Sequence, residues 1–257
     1  MLLAVDVGNT HTVLGVYEEG GLRAHWRVAT AVRATEDEMW VMLRALLHER
    51  EVRPADLDAV VIASVVPVMT DALKNVCVRY LATEPLLVEA HLDLGMEIRV
   101  DPPASVGADR LANAVAAREY HGRPAVVVDL GTATTFDVIG TEGDYLGGII
   151  APGVYTAAED LFRRAAKLAK VEILPPLQAI GRSTSESLRA GLFLGNLAMV
   201  DGLLERIRGE LEEEPAVVFT GGLSTPFKEA FEERGRVDPF LTLGGLQLIH
   251  ARIRGAP

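Results

Sequence analysis

Ala125-Val126-Val127-Val128-Asp129-Leu130-Gly131 restates, 123 residues further on, the pattern of Leu2-Leu3-Ala4-Val5-Asp6-Val7-Gly8. Each is an apolar run ending in Asp with Gly two residues later, which predicts a buried strand entering a tight turn. At the same offset Thr12 falls on Thr135, Glu19 on Glu142 and Gly20 on Gly143. Apolar coincidences carry little weight. Paired Asp, Gly, Thr and Glu-Gly at one offset of half the chain point to an internal duplication.

Working outward from the first copy, residues 13–17 form the returning strand, Glu19-Gly20-Gly21 turns the chain, and residues 22–30 supply a third strand. Residues 36–51 carry apolar side chains at helical spacing. A strand over 59–63, a loop at Ser64-Val65-Val66-Pro67, a helix over 69–81 and a short strand at 86–89 follow. The second copy begins again at residue 125, and Ala216-Val217-Val218-Phe219 answers Ala59-Val60-Val61-Ile62. Hairpins leading into strand–helix alternation give an α/β fold of two duplicated lobes. The boundary falls near His121, with lobes over 1–121 and 122–257.

A chain of 257 residues can bury two cores of that size. The net charge of -11 disfavours a nucleic acid or an anionic membrane as partner. A single cysteine, Cys77, forms no internal disulfide and reads as a core residue. The N-terminus lacks the pattern of a signal peptide, and no apolar run approaches the roughly 20 residues of a membrane span. The expected location is the cytoplasm.

A strand that ends in Asp before a glycine turn presents a carboxylate, hydroxyls and backbone N–H groups at one edge, which suits a metal-bound phosphate. Asp-x-Gly is also a common turn-capping pattern. Thr132, Thr134 and Thr135 crowd the second turn with hydroxyls. Gly221-Gly222, after the strand at 216–220, offers close backbone approach to a flat ligand, or a plain loop. Asp109, in Gly107-Ala108-Asp109-Arg110 ahead of a helix, reads either as an N-cap or as a general base beside an anion-binding Arg. Gly147 to Gly153 and Gly181-Arg182-Ser183-Thr184 read as loops over a substrate or as punctuation. Neither a Walker sequence nor the protein-kinase signature set is present.

Asp6-Val7-Gly8-Asn9-Thr10, Ser64 to Pro67, Gly107 to Arg110, Asp129-Leu130-Gly131-Thr132-Ala133-Thr134-Thr135, Gly147 to Gly153 and Gly221-Gly222 follow one another in the order found in the type III pantothenate kinases, which the whole chain resembles. The resemblance implies two ribonuclease-H-like lobes of the actin-like ATPase fold with a cleft between them. It also implies a homodimer, and phosphorylation of pantothenate by ATP to 4′-phosphopantothenate, the opening step of coenzyme A biosynthesis.

Carried over by position, the resemblance assigns ATP binding to Asp6, Val7, Gly8, Asn9, Thr10, His11, Thr12, Val13, Thr132, Gly221 and Gly222. It makes Asp109 the proton acceptor and puts Gly107, Ala108, Asp109, Arg110 and Thr184 at the substrate. Asp129 would bind a monovalent cation, K⁺ or NH₄⁺, and Asp6 would meet the Mg²⁺ that accompanies the phosphates. Val100 stands at the substrate-contact position where the family usually has Tyr. Another small-molecule kinase of the superfamily, or a non-catalytic nucleotide-binding regulator, would share the paired phosphate turns.

Overall fold

The run at the N-terminus folds as strand β1 (Leu2–Val7), whose Leu3, Ala4, Val5 and Val7 are all buried. A strand apolar on both faces belongs at the centre of a sheet. In the computed structural model, which describes residues 1–165, 168–222 and 227–255, β1 pairs antiparallel with β2 (His11–Glu18), and β2 with β3 (Gly21–Ala29). On its other side β1 pairs parallel with β4 (Ala59–Ser64), and β4 with β5 (Leu86–Leu87). The order is β3-β2-β1-β4-β5. Glu19 and Gly20 close the β2–β3 hairpin with φ of 50° and 81°, the left-handed pair that matches strand twist.

Helix α1 (Glu36–Glu49) starts at Thr35, whose hydroxyl accepts from the Glu38 N–H while Glu38 accepts from the Thr35 N–H. Its Met39, Leu43 and Leu47 are buried at four-residue spacing and meet the sheet core. Helix α2 (Pro67–Tyr80) begins on a proline, which needs no N–H there, and buries Met69, Leu73, Val76 and Cys77 in the same core. Helix α3 (Ala108–Tyr120) is lined with buried Ala, Leu and Val.

The second sheet repeats the first. β6 (Ala125–Leu130) pairs antiparallel with β7 (Ala133–Ile139), which pairs with β8 (Tyr145–Pro152). α4 (Val154–Arg164) and α5 (Thr184–Arg208) precede β9 (Ala216–Thr220), parallel to β6; then come α6 (Lys228–Glu232) and β10 (Arg236–Val237). The order β10-β9-β6-β7-β8 is the order of the first sheet, strand for strand.

The repeat differs from the expected register in one place. Thr12 pairs with Val7, and Thr134, not Thr135, pairs with Leu130. The second hairpin loop is one residue shorter, so the offset drops to 122 there and at the bulges after Val16 and Val138. It returns to 123 at Gly20 and Gly143, whose φ are 81° and 82°. The Gly147 to Gly153 segment, read from its glycines as a substrate loop or as punctuation, is instead strand β8 as far as Pro152, with Gly147 (φ 121°) beside the bulge.

The described residues group into two compact units, Met1–Glu119 with the segment from Phe240 onward, and Tyr120–Pro239. The last helix, α7 (Leu241–Arg254), therefore belongs with the first sheet, against the expectation that 122–257 forms one lobe. It packs on β1, β2 and β4. A Cβ on Gly245 would lie 1.9 Å from the Ala112 carbonyl oxygen, so α7 meets the α3 backbone directly. Thr242 donates to Asn113 at 2.8 Å beside that contact.

Contrary to the sequence reading, α5, of 25 residues, is by length and composition apolar enough to cross a membrane. Phe193, Leu197, Val200, Leu204 and Ile207 occupy the second core, and the helix also carries Glu186, Arg189, Asp201, Glu205 and Arg206. One face of the helix thus packs on that core.

Candidate active site

In the first unit, β1 delivers Asp6 to the sheet edge, between Val13 of β2 and Ala63 of β4, and the chain then turns through Gly8, Asn9 and Thr10. The Gly8 N–H donates to the His11 carbonyl at 3.0 Å, which closes the turn and leaves Asn9 and Thr10 exposed. Thr30, just past β3, holds this turn from the side. Its N–H donates to the Thr10 carbonyl (2.9 Å) and its hydroxyl to the Gly8 carbonyl (2.7 Å). That commits the Thr30 proton, so the buried Thr12 hydroxyl donates to Thr30 at 3.0 Å. His11 accepts at Nδ1 from Arg27 (2.9 Å), and burial followed by the Arg27 charge lowers its pKa, which favours the neutral ring.

The same edge gathers the Asp109 segment. Ser64 accepts from the Val66 N–H (3.2 Å) and the Thr70 hydroxyl (2.7 Å), shaping the loop before α2. Val65 then donates its N–H to the Val7 carbonyl at 3.1 Å, while its Cγ1 lies 3.5 Å from where a Gly107 Cβ would stand. That Cβ would also lie 2.5 Å from Asp109 Oδ1, so Gly107 leaves room for the carboxylate. Asp109 is the second residue of α3, not its cap, and accepts from the Arg110 N–H at 2.9 Å. Burial raises its carboxyl above the ordinary carboxylate range, with the Arg110 N–H and charge acting in the other direction.

In the second unit Asp129 is the next-to-last residue of β6 and pairs with Thr135 and Thr220. Gly221 (φ 93°) is pressed onto it. A Cβ there would fall 2.4 Å from Asp129 Oδ1 and 2.6 Å from the Leu130 nitrogen. The Gly131 N–H donates to the Ala133 carbonyl (2.9 Å), leaving Thr132 exposed at the tip. The Thr132 carbonyl accepts from the Gly153 N–H (3.2 Å) and the Thr156 hydroxyl (2.7 Å), tying this turn to the start of α4. Gly153 permits the approach, since its Cβ would stand 2.5 Å from the Gly131 and Thr132 carbonyl oxygens.

The structure thus joins Val7, Gly8, Thr10, His11, Thr12, Val65, Gly107 and Asp109 in one unit, and Asp129, Thr132 and Gly221 in the other. Gly222 is exposed beside Gly221. Val100, half-buried, and Thr184, exposed at the start of α5, are tied to neither group by a described hydrogen bond. Thr30 is a member that sequence reasoning missed, whereas Gly153 was read only as part of the Gly147 to Gly153 segment and is tied here to the second turn. The β2–β3 register, His11 opposite Ala29, is the signal that brings Thr30 to the turn.

No group of three His, Cys, Asp or Glu suited to a metal occurs among the described residues. Mg²⁺ needs only one or two carboxylates when phosphates supply the remaining oxygens, and Asp6 fits that need. Gly221 lies close against Asp129 Oδ1, and that carboxylate is an oxygen donor of the kind a cation takes.

The profile of the type III pantothenate kinase family matches residues 2–206. The chain belongs to that family. A type III pantothenate kinase of Halalkalibacterium halodurans is 44% identical over 252 residues, 98% of this chain and 99% of that one. Among solved structures, a protein of Campylobacter jejuni assigned to the Baf family of transcriptional activators superposes with a TM-score of 0.63 at 19% identity, covering 98% of this chain and 99% of that one. A ROK hexokinase of Thermus thermophilus gives 0.51 at 13% identity, covering 99% of each. These distant likenesses establish the fold of actin-like ATPases and sugar kinases. As a type III pantothenate kinase, the chain carries Gly221-Gly222 and α7 beyond the matched profile.

Proposed function

We propose that this protein transfers the γ-phosphoryl group of ATP to the primary hydroxyl of pantothenate, giving ADP and 4′-phosphopantothenate, the first step of coenzyme A biosynthesis. The observation that carries the reading is the proximity through Val65, whose N–H bonds the Val7 carbonyl beside the Gly8 turn while its side chain lies near Gly107, two residues before Asp109. Phosphoryl transfer relies on alignment and charge stabilisation, with a carboxylate to take the hydroxyl proton. Asp109 is that acceptor. Its raised pKa makes the ionised carboxylate a stronger base than an exposed one.

The turn from Asp6 to Val13 binds the phosphates through its backbone amides, and Thr132, Gly221 and Gly222 serve the nucleotide from the second unit. Gly107, Ala108, Arg110, Val100 and Thr184 meet pantothenate. Asp6 would hold Mg²⁺ and Asp129 a monovalent cation, and the charge these ions supply offsets that of the transferred phosphoryl group. A homodimer is supported by exposed apolar side chains in the second unit, Ile150, Leu161, Leu174, Leu177 and Ile180. The reading puts the enzyme in the cytoplasm, where ATP is supplied.

The test is ADP release by the purified protein with ATP, Mg²⁺ and K⁺, with and without pantothenate, the product being identified by mass. Phosphopantothenate that forms only with pantothenate, and is lost in Asp109→Asn, supports substrate and base together. ATP binding without any such product would overturn the reading.

A further inference from the structure

Between the first sheet and helices α1 and α2 lies a cavity of about 470 Å³, within the roughly 300–1,000 Å³ of small-molecule sites. Val5 and Leu14 of the sheet, Leu43 of α1, and Leu73, Val76 and Cys77 of α2 form its walls. Cores pack densely and leave few voids larger than a water molecule. A chamber this large is therefore not ordinary packing, and an apolar one stays dry and admits apolar molecules instead.

Its mouth is polar. Ala31 and Arg33, both exposed, stand there in the loop between β3 and α1. Arg33 has no hydrogen-bond or ion-pair partner among the described residues. Glu38 is the one other charged lining residue, and its carboxylate is engaged by the Thr35 N–H at 2.8 Å and the Thr35 hydroxyl at 3.0 Å. One uncommitted cation thus stands over a largely apolar chamber.

We propose that this cavity is a binding site for an aliphatic monocarboxylate of medium length, its chain filling the chamber and its carboxylate paired with Arg33. A guanidinium matches a carboxylate through two parallel N–H bonds. The site lies within the first unit alone and does not depend on the phosphoryl-transfer reading.

Titration calorimetry of the full chain with decanoate, kept below its micelle concentration, tests it, with decanol and decyltrimethylammonium as parallel probes. Saturable one-to-one binding of decanoate is expected, weaker by roughly tenfold in Arg33→Glu, the size of one charge-assisted contact. Decanol should bind wild type and Arg33→Glu alike, and the cationic probe should bind wild type less well than decanoate. Arg33 is exposed, so this variant leaves the core intact. Cys77→Phe, with its fold checked by circular dichroism, should abolish binding of both decanoate and decanol by filling the chamber. Absence of saturable decanoate binding, or equal decanoate affinity in wild type and Arg33→Glu, or undiminished binding in a folded Cys77→Phe, would overturn the proposal.

Discussion

Thr30 donates its hydroxyl hydrogen to the Gly8 carbonyl oxygen at 2.7 Å, so a residue past the third strand fixes the turn between the first two. Together with the Thr30 N–H to Thr10 and the Thr12 hydroxyl, it leaves the turn little freedom. Thr30→Val keeps the shape and removes the hydroxyl, stranding the Gly8 carbonyl and the buried Thr12. The expected cost is about 1–3 kcal/mol. In steady-state kinetics the KM for ATP should rise severalfold, and Thr30→Ser should restore most of it.

Asp109→Asn preserves size and removes the proton acceptor. A positioned base contributes roughly 10²–10⁴-fold, so kcat should fall by that order while ATP affinity, measured by equilibrium binding, changes little. Stability should not fall at neutral pH, because the raised pKa means that the folded state holds the charged form at a cost.

The same shift sets a pH dependence. Asp109 acts as a base only when ionised, and burial lifts its carboxyl above the ordinary value of about 4. As pH falls through the raised value, kcat/KM should decline, with its acid limb above that of an exposed carboxylate. The sign for stability is opposite: the favourable contribution of this group is full below its unfolded pKa and is lost as pH rises through the folded one. An acid limb below pH 4 in a rate profile would remove Asp109 from the role.

Gly221→Ala forces a side chain into the left-handed region and onto the Asp129 carboxylate. Left-handed strain alone costs on the order of 1–3 kcal/mol. A lower Tm is expected, together with weakened activation by monovalent cations, read from rates across a K⁺ titration.

Gly245→Ala tests where the last helix belongs. Its Cβ would meet the Ala112 carbonyl at 1.9 Å, backbone against which no flexible side chain yields. Overpacking of a tight contact costs typically 1–3 kcal/mol, and chemical denaturation should show at least that loss. A neutral result would contradict the close packing of α7 on α3.

The central strands were legible because they are apolar on both faces and each carries Asp one residue before its end, a pattern that does not depend on what packs around it. The Thr12–Thr135 correspondence failed because loops can lose a residue while strands keep register, and only the pairing of Val7 and Leu130 reveals the loss. The glycines of β8 suggested a loop because glycine marks turns, yet in a strand beside a bulge it also serves the pleat. The site was legible as an ordered set of motifs. Its geometry was not, since the Gly221–Asp129 contact comes from the parallel β6–β9 pairing across more than ninety residues of chain.

The helix amphipathy of α7 shows that it covers a sheet and cannot say which one. Its return to the first sheet makes that unit discontinuous in the chain, whereas the second is one unbroken segment. On the ribosome, then, residues 120–239 can finish folding while the first sheet still waits for the helix that covers it. Elongation at roughly 5–20 residues per second sets how long that surface stays bare. Residues made after the second unit complete the unit begun before it.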